Sequence, residues 1–311
     1  MAQSSTPFLR IGTRGSPLAL WQAREVRAHL AVAHGVDPEA IAIEVIRTTG
    51  DVIQDRPLSE VGGKGLFTKE IEQALLDEAI DLAVHSSKDM PTVLPAGLEL
   101  AACVPREDVR DAFISRKSGS LAGLPHGAVI GTASLRRQAM VKRLRPDISV
   151  VTFRGNVDTR LKKLDDGVVD ATLLAFAGLK RLGREAAATA VLEIDAFLPA
   201  VGQGAIGIEA RDADNRTWDL LTKINHTETL TAVRTERAFL AVLDGSCRTP
   251  IAGHARIEGG TILFRGMILR PDGSETHETA RRGAIQDGAT LGADAARELK
   301  SRAAPGFFAH G

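Results

Sequence analysis

Short apolar runs of strand length recur along the chain, and most end in polar residues followed by a helix-type pattern. Phe8–Thr13 reads as a first strand. Arg14-Gly15 turns out of it, and Ser16-Pro17 supplies an N-cap and a proline at the first helical position. This predicts a helix to about His34, stopped by Gly35. Ile41–Ile46 alternates as a second strand. Thr48 to Gly63 reads as a polar loop closing on Gly62-Gly63-Lys64-Gly65, ahead of a helix that sets Phe67, Ile71, Ala74 and Leu75 on one face. Leu82-Ala83-Val84 suits a strand buried on both faces. Leu98–Val104 and Asp111–Ser115 are two more β-type runs, and Pro105-Arg106-Glu107-Asp108 between them reads as a crossing between lobes.

The pattern then repeats. Ile130-Gly131-Thr132 echoes Ile11-Gly12-Thr13, a serine again caps a helix (Ser134 for Ser16), and Gln138-Ala139 answers Gln22-Ala23. Ile148–Phe153 parallels Ile41–Ile46, and Asp170–Ala175 parallels the run from Asp81. We read two α/β lobes of similar plan, their strand ends facing a cleft, with Ala205–Ala210 as a strand returning to the first lobe. A helix is predicted over Thr227–Leu243, ending at Asp244-Gly245. After Pro250 come strands Ile251–Ile257, Thr261–Leu269 and Glu275–Arg282, then a helix over about Asp287–Lys300. That is a small α+β third domain. The expected division is residues 1–104 with 205–224, residues 105–204, and residues 225–311.

Composition narrows the function. Hydrophobic residues make up 44% and charged residues 25%, ordinary for a globular chain. Lysine plus arginine equal aspartate plus glutamate at 39 each, so the global basic field of a nucleic-acid binder is missing, as is tyrosine for base stacking. No apolar run reaches membrane-span length, the start lacks signal-peptide character, and two cysteines make no disulfide framework. The expectation is a cytoplasmic protein.

The chemistry gathers where strands end, which is where open α/β sheets bind ligands. His85-Ser86-Ser87-Lys88-Asp89-Met90-Pro91 ends the third strand. Its Lys-Asp pair is either a solvated ion pair or a carboxylate whose charge a neighbouring cation sets. Arg14, Arg154, Arg160 and Arg181 lie at or near other strand ends. Arg136 and Arg137 occupy the first turn of a helix, where cations oppose the dipole unless an anion binds there. Guanidinium groups grip carboxylates bidentately, so the set points to a small polyanion. Lys64 adds a cation beside a glycine turn that lacks phosphate-loop spacing. Cys247, in a loop beside Arg248, is either a buried small residue or a reactive thiolate. Cys103, within an apolar strand, suits the inert role. No metal-ligand spacing is present.

These segments together resemble the porphobilinogen deaminase (hydroxymethylbilane synthase) family over nearly the whole chain. The matching stretches are Thr13–Ala23, Val61–Phe67, His85–Pro91, Gly131–Gln138, Arg154-Gly155-Asn156, Pro199–Gly204 and Gly245-Ser246-Cys247. The resemblance implies two doubly wound lobes like type II periplasmic binding proteins plus the small C-terminal domain. It implies a monomeric transferase that joins four porphobilinogen units head to tail with loss of ammonia, then releases hydroxymethylbilane by hydrolysis. The primer would be a dipyrromethane cofactor in thioether linkage to Cys247. Asp89 and Lys88 would be catalytic, with Arg14, Ser16, Lys64, Ser86, Thr132, Ser134, Arg136, Arg137, Arg154, Arg160 and Arg181 contacting cofactor and substrate carboxylates. No nucleic-acid or membrane partner is expected. The alternative is a cytosolic, non-catalytic bilobal polycarboxylate-binding protein.

Overall fold

A computed structural model describes residues 7–52, 65–243, 250–304 and 306–307. They divide into two compact units. The first holds residues 7–52, 65–106 and 205–230, and the second holds most of the rest. Among the described residues, no helix is long and apolar enough to cross a membrane.

The first unit is built on β1 (Leu9–Thr13), α1 (Pro17–His34), β2 (Ile41–Val45), a short α2 (Thr49–Val52), α3 (Lys69–Leu76), β3 (Leu82–Ser86) and β4 (Leu98–Cys103). Its local signals are plain. The Ser16 side chain accepts from the Ala19 N–H with Pro17 following, and Gly35 ends α1 in the left-handed region at φ 64°. The stretch expected to be loop from Thr48 begins with the helical turn α2, and Phe67 precedes α3 instead of belonging to it.

The second unit carries β5 (Asp111–Ser115), β6 (Val129–Gly131), α4 (Leu135–Leu144), β7 (Ser149–Val151), α5 (Val157–Asp165), β8 (Ala171–Ala175), α6 (Phe176–Arg181) and β9 (Ala190–Val191). The chain then re-enters the first unit through β10 (Ile206–Arg211) and α7 (Asn215–Thr222). Helix α7 has no counterpart in the sequence reading. Its signals are the Asp214 cap, which accepts from the Thr217 N–H at 3.0 Å, and Trp218 and Leu221 three residues apart.

The two sheets share one plan. The first runs β2-β1-β3-β10-β4 and the second β7-β6-β8-β5-β9. In each, the first three strands are parallel, and the fourth runs antiparallel to both its neighbours. The antiparallel strand comes from a distant part of the chain in the first sheet and from its beginning in the second. Helices cover both faces: Val26 and Leu30 pack on Ile11, Val84 and Ile208, and Ile71 and Leu75 pack on Ala83 and Leu98.

The C-terminal part follows helix α8 (Thr227–Val242) with an antiparallel sheet of β11 (Ile251–Glu258), β12 (Thr261–Leu269) and β13 (Thr276–Ala284), then α9 (Gly288–Arg302). Phe239, Phe264, Ile268, Ala295 and Leu299 form its core. Glu236 of α8 is fully buried, and its two oxygens accept from the backbone N–H groups of Gly202 (2.6 Å) and Ala255 (2.7 Å). A buried carboxylate so bonded ties three segments together.

Helices α8 and α9 meet at Gly292, where a Cβ would sit 2.2 Å from the Thr235 carbonyl oxygen. Backbone cannot yield as a side chain can. Gly292→Ala is therefore expected to lower stability by about 1–3 kcal/mol through overpacking, read as a lower urea midpoint with an unchanged slope.

Candidate active site

Strands β1 and β3 lie side by side and parallel, so the residues that follow them meet. Thr13, buried, donates its hydroxyl to the Val84 carbonyl at 3.3 Å and fixes the two ends together. A 3-10 turn over Ser87–Asp89 follows β3 at once, because Pro91 prevents a longer helix. A pocket opens there, lined among others by Arg14, Ser16, Gln22, Phe67, His85, Ser86 and Asp89. Gln22 on α1 donates to the Ser86 hydroxyl at 2.9 Å. The Arg14 guanidinium lies over the Phe67 ring, 4.2 Å from its centroid, a cation–π contact that holds it in place. Asp89 is exposed at the pocket wall, and Lys88 is exposed on the same turn without lining the pocket. The pocket thus offers a cation, hydroxyl donors and a carboxylate within one small volume.

The second unit repeats the arrangement with a different balance of charge. Ser134 caps α4, its hydroxyl accepting from the Arg137 N–H, and the Thr132 hydroxyl accepts from the Ser134 N–H at 3.2 Å. Arg136 and Arg137 are both buried. Sequence reasoning gave them an external anion and overlooked an internal one. Asp111, fully buried at the start of β5, accepts from Arg136 at 2.8 Å and from Arg137 at 2.7 Å and 3.0 Å. Gln203 adds a third donor at 3.1 Å. Burial alone would raise the Asp111 carboxyl, but the charges and hydrogen bonds of the two arginines outweigh it and hold the group at about 2. One carboxylate against two guanidinium groups leaves one positive charge over. The buried Nε of Arg136 has no hydrogen-bond partner among the described residues. An unmatched buried donor beside surplus positive charge suits a carboxylate-bearing group.

Other predicted site residues surround this cluster or stand apart. Arg181 is buried and donates to the Gly204 carbonyl at 2.7 Å. Arg160 donates to the Gly155 carbonyl at 2.8 Å, and Arg154 is half-buried in the same turn before α5. Cys103 is buried on β4, with its backbone bonded to Asn225 and His226, as the inert role requires. Lys64 and Cys247 lie outside the described residues. Among the described residues no group of His, Cys, Asp and Glu could hold a metal ion.

The family model described as porphobilinogen deaminase, dipyromethane cofactor binding domain, matches residues 9–219. The model described as porphobilinogen deaminase, C-terminal domain, matches residues 230–301. Relatives named porphobilinogen deaminase from Nitrobacter hamburgensis and Nitrobacter winogradskyi are 63% and 64% identical over 298 residues, or 96% of this chain and 94% of each relative. These findings do not favour the non-catalytic alternative. Among solved structures, a putative methionine-binding lipoprotein from Bacillus subtilis aligns with a TM-score of 0.45 and 13% identity, covering 72% of this chain and 92% of that one.

The Asp111 cluster makes an acid-stability prediction. Its carboxyl is depressed from 3.8 to about 2 in the folded chain. The stability it contributes, roughly 2 kcal/mol by linkage, is present above the unfolded value and lost as pH falls through the folded one. Urea unfolding across that window is expected to show wild-type stability declining between about pH 4 and pH 2. Asp111→Asn should flatten that decline and lower the neutral-pH plateau by about 3–5 kcal/mol, because two guanidinium groups lose a buried counter-charge.

Proposed function

We propose, for a chain that belongs to the porphobilinogen deaminase family, that the pocket at the ends of β1 and β3 is where its chemistry takes place and that Asp89 carries it. The protein is a transferase that condenses four porphobilinogen units head to tail onto a dipyrromethane primer, releasing ammonia, and then frees hydroxymethylbilane. The observation that carries the residue assignment is the meeting of Arg14, Ser16, Ser86 and Asp89 around one pocket.

The dipyrromethane, when bound, supplies the nucleophilic pyrrole carbon to which units are added. The residues present fit such a group, since its acetate and propionate arms are carboxylates and the buried Arg136 Nε, beside surplus positive charge, has no hydrogen-bond partner among the described residues. Arg14, Ser16, Lys64, Ser86, Thr132, Ser134, Arg136, Arg137, Arg154, Arg160 and Arg181 would bind these arms. Cys247, beside Arg248, would hold the cofactor as a thioether, because a neighbouring cation favours the thiolate. Asp89 accepts from pyrrole N–H groups and faces the positive charge that develops as ammonia leaves the substrate. A carboxylate fixed there before the reaction stabilises that charge without reorganising. Lys88 binds substrate carboxylates. The three-domain division at 104, 204 and 224 belongs to this reading, and the second family match beginning at residue 230 supports its last boundary. So does a cytoplasmic monomer acting on a small molecule without nucleic acid or membrane; the equal counts of basic and acidic residues support the nucleic-acid part.

Two measurements test the assignment. Intact mass is expected to show a two-pyrrole adduct on the wild type and on Cys103→Ser but none on Cys247→Ser; an adduct surviving on Cys247→Ser removes the attachment site. In single turnover, Asp89→Asn should slow ammonia release by roughly 10² to 10³ while substrate affinity changes little. A loss of affinity with near-normal chemistry would make Asp89 a binding residue only.

A further inference from the structure

The wall of the Asp89 pocket conceals three ionisable groups that the reading above leaves without a task. His85 lines the pocket, yet its side chain is only 3% exposed. Its Nε2 lies 3.3 Å from an Oε of Glu209, which is fully buried on β10. The β3–β10 register makes them diagonal neighbours: His85 faces Gly207, and Glu209 lies two residues further along. Glu72 of α3, also buried, completes the group. Burial first, with the charge of Glu209 adding, pushes the Glu72 carboxyl up.

The hydrogen bonding of this trio is incomplete. Both carboxylate oxygens of Glu209, one oxygen of Glu72 and His85 Nε2 are buried without a hydrogen-bond partner among the described residues. Buried polar groups are normally satisfied, and two buried carboxylates beside one imidazole cannot all be charged cheaply. For stability alone, an apolar trio would serve better. The group has the makings of a proton store: His85 and Glu209 3.3 Å apart, with Glu72 near enough for their charges to act on its carboxyl, next to a reacting centre.

The reaction needs such a store. Each coupling joins the positively charged carbon left by ammonia to the free α-carbon of a pyrrole. The new ring then regains aromaticity only when that α-carbon gives up its proton. Asp89, engaged with pyrrole N–H groups and the developing cation, is occupied at that moment. We propose that His85 accepts this proton, with Glu209 as its positioning partner and Glu72 setting the charge of the pair. The C–H bond breaks and its electron pair restores the aromatic ring. The proton passes to Nδ1, the ring nitrogen not turned to Glu209, and the buried Glu209 carboxylate, 3.3 Å from Nε2, offsets the imidazolium charge that forms. The imidazolium then hands one proton to the departed ammonia, which leaves as ammonium, and the site is reset. Atoms and charge balance with no further reactant.

The proposal rests on the Asp89 pocket being the active site, and the test separates the two. The probe is porphobilinogen deuterated at its free α-carbon, given to holoenzyme whose cofactor is verified by intact mass. His85→Gln is expected to slow coupling by roughly 10²-fold, in the range general-base removal produces. The α-deuterium isotope effect should grow above the wild-type value, since proton removal becomes limiting. Glu209→Gln should enlarge the isotope effect in the same sense with substrate affinity unchanged. Asp89→Asn should slow ammonia release with no growth in the isotope effect. If Asp89→Asn keeps its ammonia release, the reading of the pocket fails; if His85→Gln shows no enlarged isotope effect, the proton-acceptor role fails, whatever Asp89→Asn does. A second measurement needs no variant. Nitrogen NMR of the histidine rings in the wild-type protein should find the neutral His85 ring protonated at Nε2 and bare at Nδ1. A proton resident on Nδ1 would overturn the proposal, because that nitrogen could not then accept one.

Discussion

Each five-stranded sheet depends on one strand that runs against its neighbours, and in both lobes that strand delivers a buried carboxylate. β10, inserted antiparallel between β3 and β4, carries Glu209 to His85. β5, inserted between β8 and β9, carries Asp111 to Arg136 and Arg137. Neither carboxylate can be removed from water without a partner that offsets the loss. The partners sit at or just beyond the ends of the parallel strands, where the ligand-facing groups are. The strand that completes each sheet therefore also sets the charge of the strand-end cluster in its own unit.

The two clusters answer that constraint differently. Asp111 takes two guanidinium groups and Gln203 and is held well ionised, so its cluster is rigid and keeps one positive charge in surplus. Glu209 takes a single imidazole and acts by its charge on the Glu72 carboxyl, with its acceptors unmatched among the described residues. A surplus of fixed positive charge suits binding of carboxylate arms. Close titratable groups with unmatched polar atoms suit proton movement. Asp89, exposed on a short turn that Pro91 keeps from becoming a helix, is left to face the substrate.

Much of the framework was legible locally. The serine-proline start and glycine stop of α1 coincide with the helix ends, and β12 runs from Thr261 to Leu269 as its apolar pattern implied. The likeness of Ile11-Gly12-Thr13 to Ile130-Gly131-Thr132 announced two sheets of one plan, and their strand orders agree. Helix α7 escaped notice because only an aspartate cap and two apolar residues mark its eight positions. The extended loop reading from Thr48 missed a single helical turn, too short to have a period of its own.

The sequence by itself determined where strands and helices lie and which residue types stand at their ends, because caps, turns and apolar periods act over a few residues. It also pointed to the pairing of arginine-rich strand ends with a polyanion, through charge chemistry that needs no coordinates. Only the tertiary structure decided which anion Arg136 and Arg137 already hold, since Asp111 lies 25 and 26 residues earlier in the chain. Only it brought Glu209 to His85, because that meeting depends on the register of two strands more than a hundred residues apart. Such contacts are set by how sheets close and what their burial costs, and no local pattern encodes them.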